Sequence, residues 1–109
     1  MKLLSRADEI LMVAIACLES EAYSTPLLLE IRKRGGKELT VGSLWVSLDQ
    51  LSDRGLVRKK SEKKAPESGG KARVYYSLTP RGVRILLRTR DFGEKLWEGV
   101  PELADRLVK

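Results

Sequence analysis

Two stretches decide how this chain folds: TVGSLWVSLDQLSDRGLV, residues 40 to 57, and RVYYSLTPRG, residues 73 to 82. In the first, Leu44, Leu48 and Leu51 fall at i, i+4 and i+7, the apolar stripe of a helix. Thr40 is placed to cap its start, and Gly55 stands where a helix stops in the left-handed conformation. Leu56 to Lys60 then opens with the apolar and basic alternation of a half-buried strand. Arg73 to Leu78 carries Val74, Tyr75 and Tyr76, which favour a second strand. Thr79-Pro80 opens the next helix, with Pro80 at the first helical position, where no amide donor is needed. The tip between the strands, about Ser61 to Ala72, holds Pro66 and Ser68-Gly69-Gly70, a turn composition. It lacks the glycine pattern, the Lys-Ser/Thr end and the following helix of a phosphate loop.

Helix, two strands, helix is the layout of a winged helix-turn-helix. The rest of the chain fits around it. Ser5 is placed to cap a first helix running to about Ser20. Its segment Ile10 to Leu18 is apolar without interruption, so it needs cover on more than one side, from the last helix or from a partner subunit. Thr25 and Pro26 open a second helix that runs to about Arg34 and presents Leu27, Leu28 and Ile31. Arg32, Lys33 and Arg34 suit the negative end of its dipole, and Gly35-Gly36 ends it. Lys37 to Leu39 is expected to add a short strand. The last helix runs from Pro80 to about Glu98, with Val83, Leu86, Leu87, Leu96 and Trp97 as its apolar side. Gly99-Val100-Pro101 breaks it, and a further short helix to Val108 turns Leu103 and Leu107 inward. The expected fold is mainly α with a small β-hairpin (α+β). Residues 1–79 form the winged helix-turn-helix, and 80–109 form a C-terminal dimerisation helix or helices packed on the same domain.

A chain of 109 residues with net charge +6, one cysteine and no histidine is one small domain. The absence of histidine removes His-based triads, acid–base catalysis and metal sites. One cysteine, Cys17, makes neither an intramolecular disulfide nor a thiolate zinc site. Glu19 and Glu21 read as solvated surface rather than an acid–base pair. No enzyme, metal or cofactor is expected. A reducing cytoplasm fits the cysteine usage. No stretch approaches the roughly 18 apolar residues a membrane span needs. Met1 to Leu4 begins like a signal peptide, but Arg6, Asp8 and Glu9 interrupt it.

The charge is concentrated. Arg54, Arg58, Lys59, Lys60, Lys63, Lys64, Lys71 and Arg73 face only Glu62 and Glu67 between residues 54 and 73, an excess equal to the net charge of the whole chain. Such a patch suits a polyanion, or else a solvated loop that keeps the protein soluble. Its place on a hairpin after a helix favours nucleic acid. The N-terminal part of the third helix would then enter the major groove. Thr40, Gly42, Ser43, Trp45, Val46, Ser47 and Gln50 are the candidate contacts there. Ser43, Ser47 and Gln50 suit base edges, and Val46 suits a thymine methyl. Asp49 and Asp53 would repel phosphates, which shifts the electrostatic load to the hairpin. Arg58, Lys59, Lys60, Lys63, Lys64, Lys71 and Arg73 are candidates for phosphate or minor-groove contacts. Tyr75 and Tyr76 point to opposite faces of their strand. Tyr76 reads as core, and Tyr75 as free to reach phosphate.

Taken together, Gly42-Ser43-Leu44-Trp45, Leu48, Leu51 and Gly55-Leu56-Val57, followed by Arg73-Val74-Tyr75-Tyr76, Leu78-Thr79 and Gly82, resemble the PadR-like transcriptional regulators. The resemblance covers nearly all of the chain. It departs at Ser24-Thr25-Pro26, where an aromatic glycine-tyrosine step is usual, at Trp45, which replaces a tyrosine, and at Val46, Asp49 and Gln50, which replace positions often basic. The resemblance implies a cytoplasmic homodimer that binds double-stranded operator DNA, with the first and last helices as its interface. It also implies that Ile10, Val13, Ala14, Cys17, Phe92, Leu96 and Trp97 form that interface or a site for a small apolar effector. The expected function is a sequence-specific transcriptional regulator, a repressor acting on an inverted repeat. The alternative is a winged-helix protein–protein interaction module.

Overall fold

A computed structural model describes residues 2–35, 37–63 and 72–108, the side chains of Lys63 and Ala72 excepted. Helix α1 (Arg6–Leu18) starts where Ser5 accepts a hydrogen bond from the Asp8 amide at 3.1 Å. It stops short of Ser20, because Glu19 turns to φ +50° and a 3-10 turn, Glu19–Glu21, follows. Its apolar run is divided among surroundings. Leu11, Met12, Ala14 and Ile15 are buried, Ile10 and Val13 are half-buried, and Ala16 and Cys17 face solvent. Ala14, expected at an interface between subunits, belongs instead to the core of its own chain and has no surface to offer.

Helix α2 (Ser24–Gly35) starts one residue before Thr25, with the Tyr23 carbonyl accepting from the Leu27 amide at 3.0 Å. Pro26 therefore sits within the first turn rather than at its first position. Its missing N–H still leaves nothing unpaired, since no amide in the first turn has an intrahelical acceptor. Leu27 and Ile31 are buried. Helix α3 (Val41–Asp53) begins at the expected cap, Thr40 Oγ1 accepting from the Ser43 amide at 3.1 Å. Leu44, Leu48 and Leu51 are completely buried, and Gly55 takes φ +75° just beyond the helix.

Strands β1 (Val57–Lys63) and β2 (Ala72–Leu78) pair antiparallel, with Val57 opposite Leu78 and Lys59 opposite Tyr76. Residues Ser61 to Lys63, expected in the tip, are still strand. The extra strand expected at Lys37 to Leu39 is absent, and that stretch is irregular. Its place beside β2 is taken by the α1–α2 connector, whose Ala22 carbonyl accepts from the Tyr76 amide at 2.8 Å. A backbone donor on a strand edge needs one acceptor, and the nearer segment supplies it.

Helix α4 (Pro80–Trp97) is capped by Thr79, whose Oγ1 accepts from the Gly82 amide at 3.0 Å and donates to the Gly55 carbonyl at 2.6 Å. One hydroxyl thus joins the start of α4 to the end of α3. Gly82 presses on the backbone of Leu56 so closely that a Cβ would lie 2.0 Å from the Leu56 oxygen. Gly82 and Ile85 are buried, and Leu86 and Thr89 half-buried. The Thr89 hydroxyl oxygen accepts from the Leu4 amide at 3.2 Å, which holds the N-terminal segment on α4. Beyond Thr89 every residue of the helix except Gly93 is exposed. The Cα radius of gyration is 17.1 Å, against about 13 Å for a rounded domain of this length. Gly99, at φ +77°, turns the chain into a 3-10 segment, Leu103–Leu107. Leu103 and Leu107, expected to face inward, are exposed, Leu107 at 83%. They follow a helix end that has already left the core. No described helix is long and apolar enough to cross a membrane.

Candidate nucleic-acid interface

The leucine stripe of α3 determines what its other face shows. Gly42, Ser43, Trp45, Val46, Asp49, Gln50 and Asp53 are exposed and Ser47 is half-buried. Trp45 and Val46 are 54% and 57% accessible. Thr40 and Ser43 are linked through their hydroxyls at 3.1 Å as part of the cap. Helix α3 contains no lysine or arginine.

The hairpin register sorts its side chains into two faces. Val57, Lys59 and Ser61 share the inner face with Leu78, Tyr76 and Val74, whereas Arg58, Lys60 and Glu62 share the outer face with Ser77, Tyr75 and Arg73. Lys59 is exposed but paired. Its ammonium donates to the Asp49 carboxylate of α3, and that hydrogen bond raises the lysine pKa above its ordinary value. Asp49, expected to repel phosphate, is therefore accompanied by a hairpin cation. Tyr76 lies beneath the same pair as part of the core, and burial raises its phenol pKa.

Arg73 is also engaged. Its guanidinium carbon sits 4.1 Å from the centre of the Tyr23 ring, and Nη1 donates to the Tyr75 hydroxyl at 3.4 Å, a bond that raises the arginine pKa further. Tyr23 and Tyr75 meet edge to face with ring centres 5.4 Å apart. Arg73 and Tyr75, both expected to reach DNA, are half-buried members of this cluster. Sequence reasoning missed Tyr23, because an aromatic residue in a connector has no periodicity to place it beside a strand 50 residues away. Lys60 approaches Glu62 at 3.8 Å with both side chains largely exposed. Arg58 forms no ion pair among the described residues. Of the expected hairpin contacts, Arg58 and Lys60 are thus the outward cations. Lys64 and Lys71 lie outside the described residues, as does the side chain of Lys63.

The second expected group divides. Phe92, Leu96 and Trp97 are exposed, the last two at 61% and 62%. They line an open groove of about 630 Å³ between α4 and the N-terminal segment, together with Leu3, Leu4 and Arg6. Ile10, Val13 and Cys17 do not line it. No cluster of three or more His, Cys, Asp or Glu side chains that could hold a metal occurs among the described residues.

The model of the transcriptional regulator PadR-like family matches residues 11–88. Solved structures of similar fold include a PadR-like transcription factor from Bacteroides fragilis, 23% identical, covering 85% of this chain and 84% of the other with a TM-score of 0.69. A PadR family transcriptional regulator from Eggerthella lenta DSM 2243 is 24% identical, with coverage of 91% and 83% and a TM-score of 0.67. A PadR family transcription regulator from Clostridium difficile R20291 is 19% identical, with coverage of 96% and 100% and a TM-score of 0.62. No match is found among curated proteins.

Proposed function

The chain belongs to the PadR-like family of transcriptional regulators, DNA-binding proteins rather than enzymes, and from that premise we propose that it is a repressor that binds an inverted-repeat operator as a homodimer in the cytoplasm. The observation that carries this reading is the Lys59–Asp49 pair, which seats β1 of the basic hairpin against the exposed face of α3. The inner face of the hairpin then adjoins α3, while Arg58 and Lys60 stand on its outer face.

On α3, Ser43, Ser47 and Gln50 address base edges, and Val46 addresses a thymine methyl. Arg58 and Lys60 take phosphates, and Lys63, Lys64 and Lys71 are assigned the same role. Two copies related by a two-fold axis place two α3 helices on successive major-groove segments, hence the inverted repeat. The exposed Phe92, Leu96 and Trp97 supply the apolar contact between copies, with residues 80–109 as the dimerisation segment. The groove they line is where a small apolar effector would fit.

The test is a salt series of duplex affinity. Arg58→Ala with Lys60→Ala should weaken binding to every sequence. The slope of log K against log salt should fall by about 0.9 for each phosphate that is no longer neutralised. Gln50→Ala should change the preference between a selected duplex and a random one while leaving that slope in place. An unchanged slope in the double variant would favour α3 as a protein-docking face, a reading supported by the exposure of Trp45 and Val46.

A further inference from the structure

Lys59 and Arg73 already have partners within the chain, and a further group of cations lies on α4. Arg81, Arg84 and Arg88 of α4 are exposed, and none forms an ion pair among the described residues. At 3.6 residues per turn these three and Lys95 fall within a sector of about 60°, a single column about 21 Å long. Lys95 shares a hollow with Asp91, Phe92 and Leu96, Asp91 pairs with Arg90 at 3.0 Å, and the three arginines stand outside the groove at the end of α4. At its start Arg81 joins Lys2 and Arg54 around a hollow of about 300 Å³. One carboxylate, Asp8, answers Arg54 there at 3.1 Å.

The column is placed away from the surface described above. A Cβ on Gly55, just past the end of α3, would lie 3.9 Å from Arg81 Nη1, so α4 begins at the C-terminal end of α3. The end of α3 that enters a groove is its N-terminus, about 19 Å distant. A duplex docked on that end is thus separated from Arg81 by the length of α3.

We infer that the Arg81–Arg84–Arg88 column is a second phosphate-binding surface and that it holds a second segment of duplex DNA. The inference rests on the DNA-binding reading above. Charge complementarity selects the occupant. Duplex DNA presents about one phosphate charge per 1.7 Å of axis, dense enough to meet every arginine of the column. The guanidinium fork matches phosphate oxygens two at a time. A regulator bound at one site thereby bridges to another.

The experiment uses the full-length protein on beads carrying a duplex selected from a random pool for tight binding. A labelled random-sequence duplex is then added. The wild-type protein should stay on the beads and capture the label. Arg84→Ala with Arg88→Ala should stay on the beads equally well, which shows that it is folded, and capture should fall to the level of beads without protein. Retention of the wild-type without capture, or equal capture by the variant, overturns the inference and leaves the DNA-binding reading standing. Capture of a labelled RNA or acidic peptide in place of the duplex also overturns it. A wild-type protein that is not retained on the first duplex overturns both.

Discussion

Asp49 shows how one side chain changes meaning between sequence and structure. On a helical wheel it is a negative charge facing DNA. In the fold it is the partner of Lys59, so its charge is offset by a hairpin cation. Replacing Asp49 with Asn should remove a repulsive charge and release Lys59. The expected result is tighter binding to all duplexes and a salt slope steeper by about 0.9, read from the same salt series. Weaker binding would show instead that the pair matters for seating the hairpin. Tyr76, beneath that pair, makes a prediction in pH. Burial raises its pKa in the folded chain above the unfolded value near 10. Its contribution to stability is complete below the unfolded value and is lost as pH rises through the folded one. Lys59, also raised, loses its pairing in the same direction. The melting temperature should therefore fall between pH 7 and about pH 11, and Tyr76→Phe should reduce that fall. Equal falls in both proteins would remove Tyr76 as the cause.

Among elements, the junction of α3, β1 and α4 depends on few atoms. Thr79 caps α4 and hydrogen-bonds the Gly55 carbonyl, while the Thr79 amide donates to the Leu56 carbonyl at 3.1 Å. Gly82 leaves the room that close approach needs. Thr79→Ala should cost about 0.5–2 kcal/mol, the range for losing an N-cap, and Thr79→Ser should recover most of it. Denaturant midpoints at constant m-value measure both. A loss under a few tenths of a kcal/mol would mean that the backbone contacts alone hold the junction. The hairpin is secured on both faces, by Lys59 to α3 and by the Tyr23–Arg73–Tyr75 cluster to the connector after α1. That arrangement holds the hairpin at a fixed attitude to α3 and leaves Arg58 and Lys60 outward.

At the scale of the whole molecule, α4 is the anomaly. Its first half completes the core and its second half leaves it, with Phe92, Leu96 and Trp97 uncovered. Apolar surface of this extent on one small chain is the usual mark of an interface. Leu96→Asp should abolish the proposed dimer, because a charge would enter an apolar contact without a partner. The chain should stay folded, since Leu96 is already solvent-exposed in the single protomer. Sedimentation of wild-type and variant at micromolar concentration decides this. A wild-type monomer, or a variant that remains dimeric, would place the association elsewhere.

Much of the architecture is written in local sequence. Leu44, Leu48 and Leu51 at helical spacing, Thr40 and Thr79 as caps, Gly55 at positive φ and the valine–tyrosine strand all act within a few residues, so spacing alone reveals them. Helix α3, the hairpin and the start of α4 were legible for that reason, and so was the burial of Tyr76, though not the engagement of Tyr75 with Tyr23 and Arg73. The fate of the charges was not. Lys59 meets Asp49 ten residues away, and Arg73 meets Tyr23 fifty away. Composition counts such cations as free, and only folding decides which of them find partners. The same holds for Ala14, Leu103 and Leu107: an apolar residue at the right period can face inward only where another element stands opposite it, and that is settled by packing. The sequence determined which elements form, because capping and periodicity are local. The tertiary structure determined which side chains remain available to DNA, because ion pairing and burial depend on neighbours far along the chain.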